Sequence, residues 1–202
     1  GKAVITATHM LESMIKSPVP TRAEVSDIAN AILDGTDAIM LSEETALGDH
    51  PVEAISVMTK VAERVEREMG YVKKDFIGKG KDSITDAVSS EAVDLAHNIG
   101  AKFIVALTLT GFTARVVSRF RPTQEVLAFT PDDKSFNQLN LTFGVRPVLL
   151  KEKFERLSQV STMAKEYCLK NKIAKKGDNL VIVAGTPFGK NGSTNTILVE
   201  KV

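Results

Sequence analysis

The stretch from Thr6 to Gly48, TATHMLESMIKSPVPTRAEVSDIANAILDGTDAIMLSEETALG, reads as strand, loop, helix, strand, loop, a pattern that few folds accept. The short apolar run AVITA at 3–7 suits a buried parallel strand. Pro18 and Pro20 interrupt the loop that follows. Thr21 and Glu24 match the S/T-x-x-E capping box, so a helix starts near Thr21. Val25, Ile28, Ala29, Ile32 and Leu33 recur at spacings of three and four and form one apolar stripe. Gly35 ends that helix as a left-handed cap. A second strand runs from Asp37 to Leu41. Pro51, at a first helical position, opens a helix to about Met69 with Ile55, Met58, Val61, Ala62 and Val65 on its buried face. These are two consecutive βα units. Each strand ends in polar residues, and parallel α/β architectures carry their chemistry where strands end. Thr8 and Ser42 are the first candidates, against the plainer reading of both as loop or cap hydroxyls.

Two βα units cannot close a barrel or complete a doubly wound sheet, because a buried parallel strand needs neighbours on both sides. The strand at 3–7 is expected to have an open edge, which invites pairing with another chain. This part is expected to complete itself from further N-terminal sequence, a separate chain or self-association. Gly1 leads straight into a strand with neither an initiator Met nor a signal peptide, which suggests a fragment or a processed piece.

Residues 70–81, GYVKKDFIGKGK, lack apolar periodicity and read as a linker over 71–81. The second part, 82–202, opens with a helix capped by Asp82 or Ser83, with Ile84, Val88, Ala92, Leu95 and Ile99 along one face and Gly100 at its end. Strands and helices then alternate through FIVALT, TARVVSRF, EVLAFT, KSFNQLNLTF, RPVLL, FERLSQVSTMAKEYCLKN and NLVIVAG. The last strand, NTILVEKV, follows too short a connection for a helical crossover, so it should pair antiparallel. The order predicts an α/β domain with a mostly parallel sheet covered by helices on both faces.

A net charge of +1 gives no electrostatic case for nucleic acid. No apolar run approaches the roughly 20 residues of a membrane span. The one cysteine, Cys168, excludes an internal disulfide and suits a reducing cytosol; it lies in an apolar helical pattern, where packing is its expected role.

The segment TLTGFT at 108–113 follows a strand and opens a helix. Free N–H groups at a helix start attract phosphate, Gly111 permits close approach, and Thr108, Thr110 and Thr113 offer hydroxyls. A glycine turn after a strand is also common in its own right. The loop TPFGKNGST at 186–194 has Gly189 and Gly192 for mobility and Lys190 as a point charge, or is a plain exposed turn. Arg115, Arg119 and Arg121 read mostly as solvated helix charges.

The blocks ATHMLESM, PTRAEVSDIANAILDGTDAIML and SEETALGDHPVEA resemble the seventh and eighth βα units of the catalytic barrel of the pyruvate kinase family. GAKFIVALTLTGFTARVVSRFRP and VIVAGTPFGKNGSTNTILVEKV are similar to that family's C-terminal regulatory domain. The resemblance implies a partial (β/α) barrel segment over 1–70 and an allosteric, effector-binding α/β domain over 82–202. It implies phosphoryl transfer from phosphoenolpyruvate to ADP in glycolysis, giving pyruvate and ATP. It also implies magnesium and potassium as cofactors, a cytoplasmic location and a homotetramer. Thr8 matches a substrate-binding threonine, and Ser42 a serine of the proton relay near the enolate. Thr108, Thr110, Gly111 and Thr113 match the loop that holds the phosphate of an allosteric activator. Gly189, Lys190 and Gly192 fall in the effector loop, and the activator could be fructose bisphosphate, another sugar phosphate or AMP. Arg22 lies in a region near the contact between catalytic domains of neighbouring subunits.

His9 departs from the family's usual glutamine, and Glu43 from its usual glycine. Glu43, Glu44 and Asp49 are not read as metal ligands, because the family's metal carboxylates lie in earlier strands. The lysine facing the transferring phosphate and the basic residues that grip the substrate lie outside this chain too. The chain alone is therefore expected to be inactive. The alternative from another class is a non-catalytic module for phosphorylated-effector binding and oligomerisation.

Overall fold

A computed structural model describes residues 2–72, 83–152, 154, 156–188 and 194–202. The chain divides into two compact units, Lys2–Val72 and Lys73–Val202. The expected linker falls almost wholly outside the described residues, as does Asp82.

In the first unit, strand β1 (Ile5–Thr6) pairs parallel with β2 (Ala38–Ile39), Ile5 opposite Ala38 and Thr6 opposite Ile39. A 3-10 turn (Glu12–Ile15) follows β1, and α1 (Arg22–Leu33) follows that. Thr21 caps α1 with the full reciprocal capping box to Glu24, as expected. Gly35 follows with φ 91°. A short helix α2 (Glu43–Ala46), unforeseen in the sequence, comes directly after Ser42, and α3 (Pro51–Met69) has Pro51 in its first turn. The core lies between the 3-10 turn and the two long helices and is built on Leu11, Met14, Ile28, Ala54 and Met58. Full burial of each large apolar side chain contributes about 1.5–3 kcal/mol.

Three expectations for this unit need correction. The strands have two residues each rather than five, and β1 is not buried: Val4 is 54% and Ile5 45% exposed. A two-stranded ladder does not bury both of its faces: Val4 and Ile5, which read as buried, stand open, while Ile39 of β2 packs against the helical core. Ile55 and Leu33 are likewise exposed, while Ala54 and Ala31 are buried in their place. The rest of the stripe packs as expected: Ile28, Ile32 and Met58 are buried, and Val61, Ala62 and Val65 pack against that core.

The second unit is built on a five-stranded sheet in the order β5-β4-β3-β6-β7. Strands β3 (Phe103–Leu107), β4 (Glu125–Thr130), β5 (Val145–Leu149) and β6 (Asn179–Ala184) are parallel. β7 (Thr196–Lys201) pairs antiparallel with β6, as the short connection requires. Pro147 lies in the edge strand β5, where a missing N–H is tolerated. Helices α4 (Ser83–Asn98) and α5 (Phe112–Arg119) pack on β3 and its neighbours. α6 (Asp133–Leu139) packs beside β4 and β5. α7 (Leu157–Lys170) covers the face that carries Phe103, Val105, Leu127, Phe129 and Ile182. Tyr167 meets Phe129 edge-on at 5.2 Å. Cys168 is buried in this core, as expected, and burial pushes its thiol up to about 11.

The predicted face of α4 is also corrected. Ile84 is 64% exposed, and Val88, Leu95 and Ile99 are only half-buried. Of the predicted face Ala92 is buried, and with it Thr85, Asp86, Ser89, Ser90, Val93, Asp94 and Ala96. Small side chains let the helix axis approach closely, so a weakly apolar stripe is the one that packs.

Candidate functional site

Thr8 lies two residues beyond β1, and Ser42 three beyond β2. Since β1 and β2 are parallel neighbours, both hydroxyls follow the C-terminal ends of adjacent strands, and both residues are exposed. Thr8 and His9 have φ 78° and 55°, a left-handed pair without glycine. Such backbone is uncommon for non-glycine residues and persists where its surroundings hold it.

Three carboxylates hold this region. Glu12 Oε2 stands 2.6 Å from His9 Nδ1. That hydrogen bond and the charge of Glu12, helped by Glu44 and Glu43, raise the His9 imidazole above its ordinary value. Glu24 accepts four hydrogen bonds: from Ser13 N–H at 2.7 Å, Ser13 Oγ at 2.6 Å, Thr21 N–H at 2.7 Å and Thr21 Oγ1 at 2.8 Å. Glu44 accepts from Leu11 N–H at 3.1 Å and from Ser42 N–H at 2.8 Å. Burial pushes both Glu24 and Glu44 up, but the donated bonds outweigh it and hold both below the ordinary carboxylate value.

The donor set does not fit a divalent metal. Both Glu44 oxygens already accept backbone N–H groups, and Asp49 pairs with Lys16 at 3.3 Å. Among the described residues no cluster of three or more His, Cys, Asp or Glu side chains could hold one. Arg22 is exposed at the first position of α1.

In the second unit, Thr108 to Thr113 run from the end of β3 into α5. Gly111 caps α5 with φ 77°, and a Cβ there would come within 2.6 Å of the Arg115 guanidinium and 3.2 Å of Leu139. Thr110 is exposed and Thr108 buried. Thr113 is buried, with its hydroxyl 2.9 Å from that of Thr194. A hydroxyl has one donor and two acceptor sites, so this contact leaves Thr113 some capacity. The loop is braced: Arg115 Nη2 donates to the Thr110 carbonyl at 3.0 Å, and Thr130 Oγ1 to the Leu109 carbonyl at 3.3 Å. Thr186 and Asn195 join the two ends of the second loop, with Asn195 Nδ2 donating to the Thr186 carbonyl at 2.6 Å. Gly189, Lys190 and Gly192 lie outside the described residues.

The arginines are not the solvated charges that the sequence suggests. Arg119 Nη2 donates to the buried carboxylate of Asp86 at 2.6 Å, and Arg121 stacks over Phe143 at 4.4 Å. Sequence reasoning missed Asp86, Thr194 and the bridging role of Glu44. Spacing along the chain carries no signal for partners 33 or 81 residues away. The small-residue stripe of α4 is the one hint that Asp86 points inward.

Two family models match the chain. "Pyruvate kinase, barrel domain" covers residues 1–55, and "Pyruvate kinase, alpha/beta domain" covers 86–200. The chain is 48% identical over 202 residues to "Pyruvate kinase 2" of Synechocystis sp., matching all of this chain and 34% of that protein. It is 43% identical to the "Pyruvate kinase" of Clostridium acetobutylicum, matching 43% of it. A crystal structure of a pyruvate kinase from Cryptosporidium parvum superposes with a TM-score of 0.81 at 34% identity, over 99% of this chain and 40% of that one. The chain thus spans between a third and a half of the length of these relatives. A barrel segment followed by a separate α/β domain, each matched by its own model and by relatives along the whole chain, has one reading: the chain belongs to the pyruvate kinase family.

Proposed function

We propose that this chain is the C-terminal part of a pyruvate kinase, a cytoplasmic, tetrameric phosphotransferase that moves the phosphoryl group of phosphoenolpyruvate to ADP and yields pyruvate and ATP in glycolysis. The observation that carries this reading is the barrel-domain match over 1–55, together with two exposed hydroxyls past the carboxyl ends of adjacent parallel strands. Thr8 binds the substrate, donating or accepting as the substrate requires. Ser42 takes part in the relay that delivers a proton to the enolate. Phosphoryl transfer depends on positioning and on stabilising charge around one phosphate. Magnesium, when bound, neutralises charge on the phosphate oxygens, and potassium assists. The described residues do not fit a divalent cation. A rim threonine cannot replace a lysine and a divalent metal, so the chain alone should not turn over.

The second unit binds a phosphorylated effector in this reading. Support comes from the sheet order. β3 and β6 are neighbours from which the chain winds in opposite directions, the place where open α/β sheets bind ligands outside their carboxyl ends. The loop at 108–111 follows β3, and the loop from 185 follows β6. Backbone N–H groups at the start of α5 face that end of the sheet.

One experiment tests both parts. Supply the chain with the N-terminal barrel portion of a relative and assay ADP-dependent pyruvate formation. Restored turnover supports the enzyme reading. Persistent inactivity, with calorimetric binding of fructose bisphosphate, glucose 6-phosphate, ribose 5-phosphate or AMP, supports the non-catalytic effector module. No binding of any of the four to the folded chain removes the regulatory claim.

A further inference from the structure

The two rim hydroxyls sit on loops that the strand ladder does not control. β1 and β2 pair over two residues each, and the Met40 N–H to Thr6 carbonyl bond is the last rung before the chains part. Thr8 then enters the left-handed pair, and Ser42 leaves β2 with φ −123° and ψ −98°, outside the regular regions. Some other contact must fix both loops. Glu44 is placed to do so: it is 3% exposed, and its two oxygens are divided between Leu11 N–H, three residues past Thr8, and Ser42 N–H.

We infer that Glu44 is a positioning residue of the rim, whose carboxylate bridges the Thr8 loop and the Ser42 loop and holds their hydroxyls at a set separation. The inference rests on the reading above that Thr8 and Ser42 face the substrate. Both groups that Glu44 meets are donors, so its site needs two acceptors. An ionised carboxylate has an acceptor at each oxygen, while a glutamine has one and would turn an NH2 toward an N–H. Aspartate is one methylene too short to reach both loops. The backbone around α2 is packed to match. A Cβ on Gly48 would strike the Glu44 carbonyl oxygen and come within 3.3 Å of Ile15 Cα, so the segment lies directly against the 3-10 turn that Leu11 opens.

Amide exchange in the 202-residue chain tests the bridge. The Leu11 and Ser42 amides should be protected, and Glu44→Gln should speed exchange of at least one of them by roughly tenfold or more. Glu43→Gln removes the same charge one residue away and should leave both unchanged. In the barrel-completed protein, Glu44→Gln should lower kcat about 10- to 100-fold, with a smaller rise in KM for phosphoenolpyruvate through the displaced Thr8. Misplaced reacting groups cost rate more than binding, a split that general loss of fold does not produce. Should Glu44→Gln fail to fold, exchange in the unsubstituted chain still decides the matter. Leu11 and Ser42 amides exchanging as fast as exposed loop amides would overturn the inference, as would a folded Glu44→Gln enzyme that keeps kcat within about twofold. If the unsubstituted, completed protein makes no pyruvate, it is the functional reading that fails, and the exchange data still judge the bridge.

Discussion

The two units use the same βα grammar and hold together differently. In Lys73–Val202 five strands share one sheet, and residues on both of its faces are buried, Ile104 and Val181 on one and Val105 and Ile182 on the other. In Lys2–Val72 two short strands are paired, Ile5 stands open while Ile39 packs against the core, and that core lies in the loop and helices, around Leu11, Met14 and Ile28. The polar bonding differs in where the carboxylates sit, buried in the smaller unit and exposed at the α6 cap of the larger. The sheet unit uses hydroxyls, as between Thr113 and Thr194, the buried Asp86 paired with Arg119, and exposed carboxylates such as Asp132, which accepts from Ser135 N–H at the start of α6. The smaller unit relies on Glu24 and Glu44, two carboxylates that accept backbone N–H groups. The inner strands of the five-stranded sheet satisfy one another's backbone. The two-stranded ladder leaves loop donors that Glu24, Glu44 and, at Val4 N–H, Asp37 take up.

Four substitutions and an acid-unfolding experiment would break or sharpen this contrast. The largest effect is expected in the sheet core. Phe129→Ala should leave a cavity beside Tyr167 and lower stability by about 3–5 kcal/mol in denaturant unfolding. A much smaller loss would show that the five-stranded core is no better packed than the open unit. Next, Glu24→Ala strips an acceptor from Ser13 and Thr21 and should cost about 2–3 kcal/mol, read from the unfolding of the first unit. The same carboxylates set a pH limit. Glu24 and Glu44 are held below their unfolded values, so their contribution is fully present above about pH 4.5 and is lost as pH falls through the lower folded values. Acid unfolding monitored by separate probes should therefore reach the first unit early. If the sheet unit yields first, carboxylate bridging is not what distinguishes them.

Gly111→Val comes third. A β-branched residue at φ 77° meets Arg115 and Leu139, and should cost about 1–2 kcal/mol as well as abolish the proposed effector binding in calorimetry. Unchanged binding would move the effector elsewhere. The smallest effect belongs to His9. Its pKa is raised by exposed Glu12, so the favourable pairing is present below the ordinary value near 6.5 and disappears as pH rises through the higher folded one. NMR titration should find His9 above the ordinary value, and Glu12→Gln should return it there. A surface pair of this kind should not shift the unfolding midpoint measurably.

Much of the architecture was legible from local signals. Thr21 with Glu24, Pro51, Gly35 and the short connection before β7 each act over a few residues, and each marks an element that forms. The same holds for the placing of Thr8 and Ser42 past strand ends, which follows from parallel pairing. Burial was less legible. AVITA looks like a core strand because its side chains are apolar, yet whether they are covered depends on neighbours the local sequence does not name. The inward face of α4 was misread because packing selected small side chains over large ones.

What the amino-acid sequence determined by itself is the order of the main strands and helices, several helix caps and the family's motif positions, since these rest on caps, turns and periodicity within reach of one another along the chain. Only the tertiary structure decided which faces are covered and which distant groups meet. Glu44 with Leu11 and Ser42, Asp86 with Arg119, and Thr113 with Thr194 are joined by folding and not by spacing. A hydrogen bond forms over about 3 Å of space whatever the separation in sequence, and the fold alone sets which atoms come that close.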